Sequence, residues 1–427
     1  MASPNSKRPP NILLLVVDCL RNDKVLGKRR PRGLRAIPRL IEQGVSFPVF
    51  YSVASHTPIC FSSILSGFYP TTHRVQSLRG AKFPARLPTL ADGLKAAGYR
   101  TEAFLSGPLG PEFGLDKGFD VYRHLKKWGT ITGNFGAELL QRLRELRESE
   151  QPWFVIFHFW SLHKFRRYSV LFKLLLGLPP GAVRSALDRL DDGMGRILQK
   201  VGTERLYDAC LRDIDFYLEK MLEATNFDRT CVFLTGDHGE YLGFPEENVP
   251  PDGCPLLSKY HGFHVYDLLT RVPLVAAGGD LPRGKTDSTT RSAIDIPPTI
   301  LELAGARGEC EGSSLLAPPP AARPVFLEAM VSPHHDPGQL IAGVRFDDWK
   351  FAGRPKAGEF QPELYDLGRD PFERTNLAAK EPAMVERGTG MVRQHWADDA
   401  GARPAEALTS EEERVIAKRL QELGYIE

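Results

Sequence analysis

Asp18 ends an apolar run, NILLLVVD (11–18), and Asp237 ends another, TCVFLTGD (230–237). His238, Gly239 and Glu240 follow Asp237, while His158 and His163 bracket the end of a third run, PWFVIFHFW (152–160). Two carboxylates and an imidazole at neighbouring strand ends make a hard, mostly oxygen site suited to a divalent cation. An Asp after a strand is also a common helix cap, and Asp18 taken alone reads equally that way. The unit Asp237-His238-Gly239-Glu240 is an unusual way to open a helix, which favours ligation there.

A hydroxyl with nucleophile potential lies in SVASHTPICFSSILSGFYPTTHRV (52–75). SSILSG reads as the first turns of a helix, and Thr57 stands just before Pro58, a residue favoured in a first helical turn. At that positive helix end, amide groups favour anions. A hydroxyl also bound to a cation loses its proton more easily and attacks an ester. Thr57 as a plain N-cap remains open beside this, since capping and catalysis are compatible. His56 is a neighbouring base or a side chain that points away.

The elements that must carry these residues alternate. Runs 11–18, 100–106, 152–160, 230–237 and 272–278 read as buried strands. Stretches 36–44, 87–99 (capped by Thr89), 207–224 and 295–305 have helical spacing. Alternation of this kind predicts an α/β fold, a doubly wound, mostly parallel sheet with helices on both faces. Ligands then bind beyond the carboxyl ends of the strands. After a Pro/Ala linker (316–324) come strand-like VFLEAM, IAGVRFDDWKFAG and ELYDL, which read as a small C-terminal antiparallel-sheet subdomain. The stretch 379–410 has weak periodicity, and 411–427 reads as a terminal helix with Ser410 as cap and Gly424 as stop.

Composition narrows the class without choosing a partner. The chain has 427 residues, with 55 Lys+Arg against 53 Asp+Glu, so the formal net charge is +2. That balance argues against nucleic acid as a partner. Hydrophobic residues at 42% and charged residues at 25% fit an ordinary globular protein and exclude wholesale disorder. The six cysteines are scattered without CxxC spacing and read as free thiols. The first apolar run spans only 12–17, too short for a signal core, and nothing approaches the ~20 apolar residues of a membrane span. A cytoplasmic protein with no transmembrane segment is expected; oligomeric state is silent.

Nearly end to end, the chain resembles the sulfatase branch of the alkaline-phosphatase superfamily. The matching pieces, in order, are NILLLVVDCLRND; HTPICFSSILSGFYPTTHRV; LPTLADGLKAAGYRT with GFDVY; HFWSLH; YDACLRDIDFYLEKML; TGDHGEYLG; HGFHVYDLLTRVPL; DIPPTILELAG; ELYDLGRDPFERTNLA; and RLQELGYIE. The resemblance implies a large alkaline-phosphatase-like catalytic domain with a small C-terminal sheet. It makes Asp18, Asp237 and His238 metal ligands together with Thr57, which falls on the nucleophile position. Formylglycine-forming sulfatases carry Cys or Ser in a C/S-x-P-x-R motif. Here Cys60 lies three residues too late and Phe61 occupies the Arg position. Thr cannot be converted to formylglycine, so none is expected. A Thr nucleophile resembles the family's phosphodiesterases, phosphonate hydrolases and phosphoglycerol transferases instead.

By the same resemblance His163 and His261 lie near the leaving-group oxygens as proton donors, and Arg21, Lys259 and His264 are candidate substrate-binding residues. His264 reads equally as a helix-capping or surface side chain. One divalent ion (Mn, Mg, Ca or Zn) is expected, because no clear Asp-His-His set marks a second. The expected function is a metal-dependent ester hydrolase, phosphoester favoured over sulfate, acting on an anionic small-molecule or a lipid or glycan ester. Alternatives are a formylglycine-independent sulfuric-ester hydrolase and a non-catalytic binding protein on the same scaffold. The expected division is 1–310 catalytic, 311–380 small subdomain and 381–427 helical tail. KFRRYSVLFKLLLGLPPG (164–181) reads as a buried helix or loop or as a lid, and 242–262 as a rim loop.

Overall fold

A computed structural model of the chain describes residues 8–76, 81–125, 134–163, 203–243, 247, 261–318, 323–330, 340–356, 359–397 and 405–422. The strand β1 (Asn11–Val17) is central. It pairs in parallel with β5 (Trp153–Phe159) on one side and β6 (Thr230–Gly236) on the other. Beyond β5 lie β3 (Arg100–Ser106) and β4 (Val121–Leu125), also parallel. Beyond β6 comes antiparallel β7 (Arg271–Ala277), then β2 (Gly44–Tyr51), with the short β8 (Lys285–Thr286) and β9 (Arg291–Ser292) both pairing β2. The sheet is thus mostly parallel, as the alternating runs predicted.

Both faces of β1 are covered. Ile12, Leu14 and Val16 pack into one apolar cluster with Phe61, Ile64 and Leu65 of the helix Thr57–Ser66. Leu13, Leu15 and Val17 pack into the other with Ile37 and Leu40 of the helix Ala36–Glu42 and Leu211, Ile214 and Leu218 of the helix Thr203–Ala224. That two-sided burial explains why the strand is uninterrupted apolar sequence rather than an alternating pattern.

A second sheet is antiparallel, in the order β10 (Val325–Met330), β11 (Leu340–Phe346), β12 (Trp349–Lys356), β13 (Glu359–Asp366). It braces the main sheet through β10: Glu328 N–H donates to Val53 O at 2.8 Å and Met330 N–H to Gly262 O at 3.1 Å. Val53 and Gly262 stand on the loops that carry Thr57 and His261.

Two elements differ from the sequence reading. The weakly periodic stretch after 379 contains a helix, Pro382–Ala397, whose Met384, Val385, Met391 and Val392 pack on the small sheet. The terminal helix runs Ser410–Glu422, and Thr409, not Ser410, caps it: Glu412 N–H donates to Thr409 Oγ1 at 3.2 Å. No helix among the described residues is long and apolar enough to cross a membrane.

Candidate active site

The register of three parallel strands assembles the site. Val17 of β1 is opposite Phe159 of β5 and Gly236 of β6, so Asp18 and Asp237, the next residues, leave the sheet side by side. His158 is opposite Val16, one step inside the sheet. Asp18, His158, Asp237 and His238 are fully buried. His158 Nε2 lies 3.9 Å from Asp18 Oδ2 and 3.7 Å from Asp237 Oδ2. His238 Nε2 lies 3.6 Å from Asp237 Oδ2 and 4.0 Å from Asp18 Oδ1.

The imidazoles are held from behind. His158 Nδ1 is 2.8 Å from Ser106 O, and His238 Nδ1 is 2.9 Å from Gly239 O. A carbonyl there accepts a hydrogen bond from Nδ1–H, which leaves each Nε2 with its lone pair aimed at the carboxylates. Phe61, in the position the resemblance reserves for Arg, packs its ring edge-on to His158 at 5.5 Å between centroids.

Thr57 is the first residue of its helix, and His56, one residue earlier, is the N-cap position without a side-chain cap bond. The Thr57 hydroxyl is therefore not the N-cap that sequence left open. Its Oγ1 donates to Asp18 Oδ2 at 3.1 Å and lies 3.1 Å from His238 Nε2. Pro58 fits the first turn, where no amide proton is needed.

The donor set fits a divalent cation. His158 Nε2 and Asp237 Oδ2 are buried polar atoms without a hydrogen-bond partner, and they face each other. Burial and the Asp237 charge push the Asp18 carboxyl well above its usual range. Burial also lowers His238 to about 4 against the opposing pull of Asp237, so its imidazole is neutral near pH 7, the form that ligates. Two buried carboxylates sharing a site cannot both ionise cheaply unless a positive charge joins them.

The other predicted residues fall in different places. His261 is buried, its Nδ1 3.3 Å from Glu240 Oε2 and its ring centroid 4.2 Å from that of His238. His163 is half-buried, its ring centroid 4.9 Å from that of His261 and 4.8 Å from that of Trp160. His56 is buried, and desolvation, with His261 and His238 adding, holds its imidazole well below its ordinary value.

Arg21 faces carboxylates. Its guanidinium meets both oxygens of Asp23 at 2.9 Å, donates to Glu240 O at 3.0 Å and pairs with Glu247. His264 stacks on Tyr266 at 3.4 Å and pairs with Glu363 of β13 at 3.2 Å, which makes it a joint between the two sheets. Cys60 packs in an apolar cluster with Val53, Ala54 and Ile294. Lys259, the 164–181 segment and most of 242–262 lie outside the described residues.

Two residues escaped the sequence reading as ligand candidates. His158 was visible at its strand end, but only pairing with Val16 shows that it points to Asp18. Cys19 carried no signal except adjacency to Asp18.

Comparison with known proteins identifies the family and the fold. The sulfatase family profile matches residues 10–306. Choline-sulfatase of Rhizobium meliloti (strain 1021) is 25% identical, covering 93% of this chain and 90% of that protein. Arylsulfatase K of Xenopus laevis is 27% identical over 42% of this chain and 34% of that one. The crystal structure of phosphonate monoester hydrolase of Agrobacterium radiobacter superposes with a TM-score of 0.71 at 18% identity, covering 91% of this chain and 96% of that one. The chain belongs to the sulfatase family and has its alkaline-phosphatase-like fold; it is an ester hydrolase.

Proposed function

We propose that this sulfatase-family chain is a metal-dependent hydrolase that cleaves an anionic ester through Thr57, with phosphoesters favoured over sulfate esters. The observation that carries the reading is the position of Thr57 Oγ1, 3.1 Å from both Asp18 Oδ2 and His238 Nε2 at a helix N-terminus. Asp18, Asp237, His238 and Thr57 are the proposed ligands, with His158 as an addition to the set. When bound, the cation would lower the acidity barrier of the Thr57 hydroxyl and neutralise ester charge.

The remaining chemistry belongs to side chains. Asp18 accepts the Thr57 hydroxyl proton, and the freed Oγ1 attacks phosphorus in line while the bond to the leaving oxygen breaks. His163 is the proposed donor to that oxygen. It is half-buried and thus closer to incoming substrate than His261, whose Nδ1 already faces Glu240. Water then attacks phosphorus and gives a proton to His163, while the Thr57 oxygen leaves with the proton held by Asp18. In this reading residues 1–310 form the catalytic unit, and 311–380 with the tail 381–427 brace its loops.

Phosphoester preference follows from Thr57, which cannot be oxidised to an aldehyde. The likeness to a choline-sulfatase favours a second reading, a sulfuric-ester hydrolase that works without formylglycine. Turnover of p-nitrophenyl sulfate, p-nitrophenyl phosphate and bis-p-nitrophenyl phosphate with Mn, Mg, Ca or Zn added separates them. Faster phosphoester cleavage supports the first reading; sulfate-only cleavage supports the second.

A further inference from the structure

A second group of ligand-type side chains lies against the first. Cys19 Sγ is 3.6 Å from His261 Nδ1 and 3.7 Å from Glu240 Oε2, and those two atoms are 3.3 Å apart. Thiolate, imidazole and carboxylate ligands at about 2.0–2.3 Å from one tetrahedral ion stand roughly 3.3–3.6 Å from each other. The three side chains therefore already have the spacing of a ligand set. Asp18 touches both groups, and its Oδ1 also lies 4.0 Å from His238 Nε2. Oδ2 faces Thr57 and His158, whereas Oδ1 accepts from Cys19 Sγ at 2.8 Å.

The backbone supports this placement. Cys19 has φ 61°, the left-handed region that disfavours a non-glycine residue. It is clamped there from both sides. Its N–H donates to Asp237 Oδ1 at 3.3 Å, and its carbonyl accepts from Tyr207 Oη at 2.7 Å. Tyr207 Oη in turn accepts from Arg21 N–H at 3.0 Å. Strain held by surrounding bonds is a mark of functional positions, and the clamp fixes the turn from which Sγ reaches Glu240 and His261.

We propose that Cys19, Glu240 and His261, bridged by Asp18, form a second cation site, suited by its thiol and imidazole to Zn²⁺ rather than Mg²⁺ or Ca²⁺. On binding, the Cys19 proton now directed at Asp18 leaves to solvent as the Sγ–metal bond forms. The site shares one carboxylate with the first, an arrangement that two-metal ester-cleaving centres use with ions ~3.5–4 Å apart. It extends the reading of the first site, which needs only one ion.

The test is ion stoichiometry on the full chain. Protein stripped with a chelator is titrated with Co²⁺ or Zn²⁺, bound ions are counted by elemental analysis, and thiolate-to-cobalt charge-transfer absorption is recorded. Wild type should bind two ions and show the band. Cys19→Ser should bind one and lose it, and His261→Gln, which retains the thiol, should also bind one, which guards against a Cys19 variant that fails to fold. One ion in wild type with the same count in Cys19→Ser overturns this proposal and leaves the Thr57 site standing. Two ions in both proteins, without the band, also overturns it. No bound ion in wild type overturns both readings.

Discussion

His158 Nε2 stands 3.7 Å from Asp237 Oδ2, both atoms fully buried and neither with a hydrogen-bond partner. Such atoms cost roughly 1–3 kcal/mol each when left unsatisfied. A cation shared by the two would remove that cost, the basis for proposing His158 as a ligand. His158→Ala should weaken divalent-ion affinity about tenfold or more, since even residues behind the ligands carry 10–100-fold effects. Calorimetric titration with Mn²⁺ checks this; an unchanged Kd removes His158 from the set.

His163 packs against His261 and Trp160 at the half-buried edge of the site. As a proton donor it matters most when the leaving group is a poor one. His163→Asn should reduce kcat by roughly 10²–10⁴-fold for an alkyl or phenyl phosphoester. The loss should be much smaller for a p-nitrophenyl ester, whose leaving oxygen needs little protonation. Equal losses with both would assign His163 to binding.

Lys350 of β12 is buried between Asp267, 2.8 Å away, and Glu373, 3.0 Å away. Asp267 stands just before β7 and also accepts from Tyr51 Oη at 3.0 Å, so the ion cluster ties the small sheet to the large one. Removing one partner of a buried ion pair strands the others. Lys350→Met should cost about 3–5 kcal/mol in urea unfolding. A cost under about 1 kcal/mol would show that the cluster does not hold the sheets together.

His73 is buried, and desolvation lowers it from 6.5 to about 3. Its Nδ1 accepts from Val75 N–H at 3.1 Å and its Nε2 lies 3.0 Å from Ser63 Oγ. His395, lowered to about 4 by burial, shares the sign. The unfolded chain takes up these protons first. Stability is therefore full above about pH 6.5 and falls as pH drops toward 3–4. His73→Gln should flatten that slope in thermal melts from pH 7 to 4; an unchanged slope would contradict the assignment.

Much of this was legible in sequence because the inner strands of the large sheet are buried on both faces. That left β1, β3, β5, β6 and β7 as largely apolar runs, with Asp18 and Asp237 directly after β1 and β6. The strand β2 was not read, because Pro48 interrupts GVSFPVFY. The structure accommodates it at a register shift between Phe47 and Phe50, where Pro48 O accepts from Arg271 Nε at 2.8 Å. The helix Pro382–Ala397 was missed because Gly388 and Gly390 dilute its pattern; Gly388 lets the helix close on Phe351, where an added Cβ would come within 2.6 Å of the Phe351 side chain. His158 and Cys19 were unreadable as candidate ligands for a different reason. Their roles depend on strand register and a left-handed turn, neither of which spacing encodes.

If Thr57 attacks the ester at a cation site, Thr57→Ala removes the nucleophile and turnover falls with it. The assay uses metal-loaded protein with bis-p-nitrophenyl phosphate, beside wild type with the same bound metal content. The account expects at least a roughly 10³-fold loss of kcat, with Thr57→Ser retaining measurable turnover because it keeps a hydroxyl at the same place. Full activity in Thr57→Ala would contradict the account.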